Sequence, residues 1–129
     1  MQRRIMYIEH KTDQDDRGEA WIGMAEFSKS GQTVYFNGYA YKRFKSGGTA
    51  GNFYDIETGD EFWISGVKKN GQDRHWAGGG RIKIERAIVD QYLNFVDFHE
   101  LDEQHYELAV PKRTDKQKFL EIENEKNDK

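Results

Sequence analysis

Residues 20–44 read AWIGMAEFSKSGQTVYFNGYAYKRF. Apolar, β-branched and aromatic residues recur at a period of two on either side of Ser28-Lys29-Ser30-Gly31-Gln32, whose small and glycine residues suit a hairpin connection. The stretch therefore predicts two strands, Ala20 to Phe27 and Thr33 to Phe44, joined by a short turn.

Working outward, the same signals repeat. Met6 to His10 reads as a first strand, separated from Ala20 by an acidic polar loop. Asn52 to Ile56 and Glu61 to Val67 flank the turn Glu57-Thr58-Gly59-Asp60, and Asn70-Gly71 marks another reversal before a short strand, Arg81 to Glu85. From Arg86 the period changes: Ile88, Val89, Tyr92, Leu93 and Val96 recur every three to four residues, which predicts one amphipathic helix near 86–97. Tyr106, Leu108 and Val110 then alternate like a strand, and Pro111, the only proline, marks its end. Residues 112–129 are nearly all polar. Phe119, Leu120 and Ile122 offer a frayed helix, but too little apolar surface for it to order alone. The expectation is one mainly β domain over 1–111 with a single amphipathic helix, followed by a flexible polar tail. Its architecture is expected to be a small SH3-like or OB-like barrel or a strongly bent antiparallel sheet.

A chain of 129 residues can bury a modest core without staples. With no cysteine it has no disulfide, thiolate metal site or cysteine nucleophile. Arg3 and Arg4 precede only a short apolar stretch, and nowhere do eighteen apolar residues run together, so neither a secretory leader nor a membrane helix is expected and the cytoplasm is the expected location.

The net charge of −3 averages over an uneven distribution. No Asp or Glu occurs from Phe27 to Tyr54, a stretch that carries Lys29, Lys42, Arg43 and Lys45. Between Asp97 and Glu107 five acids stand without a Lys or Arg. If Thr33 to Phe44 is one strand, its alternation puts Val34, Phe36, Ala40 and Phe44 on one face. Tyr35, Asn37, Tyr39, Tyr41 and Arg43 then share the other. Three tyrosines and an arginine on one face suit stacking on planar ligands and contact with phosphates. The competing explanation is a strand covered on both sides, since tyrosine favours strands whatever its role.

Two glycine-rich loops, Lys45 to Thr49 and Arg74 to Arg81, bring basic residues and close-approaching backbone together, yet neither matches a P-loop or a dinucleotide fingerprint. His99 and His105 are six apart and so fall on different faces of a helix, which argues against a zinc-protease motif. Asp55, Glu57, Asp60 and Glu61 gather at one hairpin turn, where charge serves solubility. Ser46, Ser65 and His75 lack a nucleophile elbow. No catalytic residue, metal ligand or cofactor is expected.

Residues 54–74, YDIETGDEFWISGVKKNGQDR, together with Met6-Tyr7-Ile8-Glu9, resemble a group of small uncharacterised bacterial proteins over roughly residues 6–84. Some of these carry the name 1-deoxy-D-xylulose-5-phosphate synthase. That enzyme is several times longer and binds thiamine diphosphate and magnesium through a Gly-Asp-Gly pattern, from which Gly59-Asp60-Glu61 departs. The resemblance implies a bacterial cytosolic origin and a shared hairpin, and carries over no activity.

The functional expectation is a non-enzymatic binding module for single-stranded nucleic acid or another phosphate-bearing ligand. Its expected contacts are Tyr35, Tyr39, Tyr41 and Arg43, with Lys45, Lys68, Lys69 and Arg74 nearby. The alternative is a protein-interaction domain or accessory subunit docking through a sheet edge and the acidic 97–107 region.

Overall fold

The alternating first half of the chain forms six antiparallel strands in the computed structural model, which describes residues 2–11, 18–46, 51–73 and 80–127. These are β1 (Gln2–His10), β2 (Ala20–Phe27), β3 (Thr33–Phe36), β4 (Tyr39–Arg43), β5 (Phe53–Asp55) and β6 (Glu61–Gly66). Each pairs with the next and β6 pairs back onto β1, so the meander closes into a small up-and-down barrel.

The stretch Thr33 to Phe44 is two strands, not one. Asn37 and Gly38 both take positive φ, 53° and 83°, the geometry of a two-residue hairpin turn that this dipeptide favours. The reversal sets Val34 opposite Tyr41 and Tyr35 opposite Ala40. Directly opposed residues share a face, so Tyr41 joins Val34 inside the barrel while Tyr35 points outward. The expected single face bearing Tyr35, Tyr39, Tyr41 and Arg43 therefore does not exist.

β2 divides its pairing. Glu26 and Phe27 bond to β3, whereas Trp21 and Ile22, at the other end, run parallel to β7 (Ile82–Glu85). Where β2 leaves β3, the Glu85 carboxylate accepts the Met24 N–H at 3.0 Å, which satisfies a donor that the ladder has released. Phe36 leans into the gap. A Cβ at Gly23 would lie 2.4 Å from its ring, so only glycine allows that ring its place.

Met6, Ile8, Trp21, Val34, Phe36, Tyr41, Phe53 and Ile64 fill the barrel. Its outer wall is covered in two places. A 3₁₀ turn (Arg86–Ile88) leads into α1 (Val89–Val96), and the chain returns as β8 (Tyr106–Ala109), parallel to β7. Ile88, Tyr92 and Val96 from this unit pack on Tyr7, Ile22 and Ile84, as the three-to-four-residue spacing anticipates. Asp97, in the left-handed conformation, ends the helix.

The second cover is α2 (Lys116–Asn127), in the segment expected to be a flexible tail. Phe119, only 1% exposed, inserts between Tyr35, Ala40 and Ile56, and Ile122 packs beside it. Residues before the helix are tied down as well: Lys112 N–H donates to Asn37 Oδ1 and Gly38 N–H to Thr114 Oγ1, both at 2.8 Å. The outward faces of β3 and β4 supply the apolar surface that the helix lacks.

Truncating Phe119 should therefore release α2. Phe119→Ala is expected to cost about 3 kcal/mol in urea unfolding and to expose the amides of 112–124 to hydrogen exchange. A loss below about 0.5 kcal/mol, within the scatter of ordinary surface changes, would mean that the helix does not dock in solution.

Candidate ligand-binding site

In an antiparallel meander the strand ends alternate, so the C-terminal ends of β1, β3 and β5 meet the N-terminal ends of β2, β4 and β6 at one mouth of the barrel. A cavity of about 200 Å³ lies there. Trp21, Phe36, Tyr39, Tyr41 and Phe62 line it, one or two rings from each of four strands. The rings brace one another: Tyr41 lies 4.6 Å from Phe62 between centroids, Tyr39 6.3 Å from Tyr41, and Trp21 meets Phe36 edge-on at 5.4 Å. His10 stacks on Phe62 at 4.7 Å and extends the wall to the rim. Tyr39, 41% exposed, stands at the opening.

Three carboxylates share the lining. Asp55 is 4% exposed, and its Oδ1 accepts the N–H groups of Glu57 at 2.8 Å and Thr58 at 3.3 Å, which closes the β5–β6 turn. Asp60, on the same turn, reaches His10 Nε2 at 3.4 Å. Glu19 accepts from Lys83 Nζ at 2.8 Å and from the Trp21 indole at 3.0 Å, so the ring is held by its own edge. Lys83 chiefly, with Trp21, holds the Glu19 carboxyl below its ordinary value despite partial burial. Burial, and after it the Asp55 charge, pushes the Tyr41 hydroxyl well above the ordinary phenol range.

Of the expected ligand contacts, the mouth gathers only Tyr39 and Tyr41. Tyr35 is on the other side of the wall under Phe119. Arg43 and Lys45 follow the far end of β4, where the Arg43 guanidinium covers the Phe53 ring at 4.7 Å from its centroid. Lys68 and Lys69, both exposed, follow the far end of β6. The basic residues thus sit together at the end of the barrel opposite the tyrosines. Arg74 and His75 lie outside the described residues, as does most of each glycine-rich loop. Sequence reading missed His10, Glu19, Trp21, Phe36 and Phe62. It met Asp55 and Asp60 only as turn carboxylates, because their convergence with the rings depends on barrel closure.

Among the described residues no three His, Asp or Glu side chains converge closely enough to hold a metal ion, and no helix is long and apolar enough to cross a membrane. Comparison with protein-family models, with curated proteins and with solved structures finds no match to this chain.

The Glu19–Lys83 pair has a pH signature. A carboxyl held below its ordinary value stabilises the fold above that value, and the contribution is lost as pH falls through the depressed one. In a Lys83→Met variant the Glu19 midpoint should rise toward 4.5, read by NMR of the side-chain carboxyl, and that part of the acid destabilisation should vanish. An unchanged midpoint would show that Lys83 does not hold Glu19 in solution.

Proposed function

We propose that this chain is a binding module that takes a small group of its ligand into the mouth of the barrel. The observation carrying this reading is the cavity walled by five rings from four strands, open to solvent beside Tyr39. Rings already braced against one another lose little conformational freedom on binding, which favours affinity. At about 200 Å³ the cavity is smaller than the roughly 300–1,000 Å³ that encloses a drug-sized ligand. It therefore suits one group, with the rest of the ligand outside. A fragment panel titrated into isotope-labelled protein should shift amides at 10, 19–21, 36–41 and 55–62, and Tyr39→Ala should abolish those shifts while the rest of the spectrum is retained. Shifts that gather elsewhere, or survive the substitution, would overturn this reading.

A second reading follows the positive charge. Arg43, Lys45, Lys68 and Lys69 share the far end of the barrel with Arg3 and Arg4 at the start of β1 and Lys29 in the β2–β3 turn. Among the described acids there, Glu26 is engaged by Arg3 and Lys116. This end suits a phosphate-bearing ligand such as single-stranded nucleic acid, with backbone charge supplying most of the affinity. Stacking at the mouth would not contribute to it. Binding of a short mixed RNA should weaken steeply with salt and fall by about tenfold or more when Lys68 and Lys69 are both replaced by Glu. Salt-independent binding, or none at low salt, would remove this reading and leave the mouth unaffected.

A further inference from the structure

We infer that the group held at the barrel mouth is an organic cation of the trimethylammonium type. This inference rests on the mouth being a binding site and adds the chemistry of its occupant.

The lining sets the sign of the charge. Ring faces carry negative quadrupole potential, and three carboxylates join them. Among the described residues neither Lys nor Arg lines the cavity, and the one lining ring that can become cationic, His10, lies against Asp60. A phosphate or carboxylate entering here would meet three carboxylates, while Lys83, 5.7 Å from the Trp21 ring centroid, is already engaged by Glu19.

Asp55 decides between a cation and a neutral apolar group. It is a buried carboxylate in the wall, with two backbone N–H groups on Oδ1. A neutral occupant would strip water from the mouth and leave that charge further desolvated, whereas a cation compensates it at the same moment.

Two other kinds of cation fit poorly. A hard metal ion needs about six to eight oxygen ligands, while no metal-holding cluster of His, Asp or Glu occurs among the described residues. A guanidinium prefers a two-pronged grip on both oxygens of a carboxylate. Asp55 has one oxygen committed to its turn, and Glu19 is committed to Lys83 and Trp21. A methylated ammonium asks for no directed hydrogen bond. It needs aromatic rings, a diffuse negative field and a small cavity, and the rings and carboxylates that line this mouth supply that combination.

The test titrates the full-length protein with tetramethylammonium chloride against sodium chloride of equal ionic strength, followed by amide NMR and the Trp21 indole signal. Choline is then compared with 3,3-dimethylbutanol, its neutral isostere with carbon in place of nitrogen. The cation should shift mouth signals and bind at least about tenfold more tightly than the isostere, the size expected of a desolvated cation–π contact. Tyr39→Leu, at an exposed site, keeps apolar surface but removes the ring. Asp55→Asn keeps the turn acceptor but removes the charge. Each should weaken the cation and leave the isostere nearly unchanged.

Equal binding of choline and isostere would overturn the cation while keeping the mouth as an apolar site. Fragments that bind the mouth when tetramethylammonium does not would do the same. An absence of mouth shifts with every compound would overturn both readings. Choline and a short peptide carrying trimethyl-lysine separate the sources: tighter choline binding assigns a small metabolite, and tighter peptide binding a modified protein.

Discussion

β1 hydrogen-bonds along both edges, to β2 over Gln2–Glu9 and to β6 over Met6–His10, and this double pairing turns a meander into a barrel. With an even number of strands the last meets the first antiparallel, so closure requires no crossover. Closure commits one residue in two to the interior. Met6 and Ile8 go in, Tyr7 goes out, and the partners on β2 and β6 follow through the register. The outward apolar residues then need covers of their own. This gives the chain beyond residue 80 its role: the β7–α1–β8 unit shields one part of the wall and α2 another.

Beside the mouth β2 divides its pairing: Glu26 and Phe27 stay with β3, whereas Trp21 and Ile22 join β7. Gly23 leaves room for the Phe36 ring, and Glu85 takes the released Met24 N–H, so the division leaves no orphaned donor at that point. The ring wall and the extra strands share a support, since Lys83 on β7 holds Glu19, which in turn holds the Trp21 indole.

Antiparallel order also sorts charge along the barrel. Among the described residues, the turns at the mouth end contribute acids or uncharged residues to the cavity, among them Glu19, Asp55 and Asp60. Arg43, Lys45, Lys68 and Lys69 extend the opposite strand ends. A net charge of −3 conceals this polarity. Among the described residues, the two ends therefore differ in the sign of the charge they gather.

What the sequence by itself determined was local: period-two strands, the turns at Ser28–Gln32 and Glu57–Asp60, the helix after Arg86 and the strand at Tyr106, each written within a few consecutive residues. Asn37-Gly38 was equally legible as a hairpin dipeptide. The unbroken aromatic alternation around it instead reads as one long strand, and that reading put Tyr35 and Tyr41 on the same face. The tertiary structure decided what pairing alone can decide. Tyr35 belongs to the α2 interface because Phe119 comes back to cover it, and Tyr41 belongs to the interior because Val34 lies opposite. Asp55 becomes part of a ring-lined cavity because β6 returns to β1 and brings Phe62 beside His10. Backbone propensity and periodicity act between neighbours, whereas the meaning of a face, a carboxylate or a ring is set by contacts across tens of residues, and those exist only once the barrel is closed.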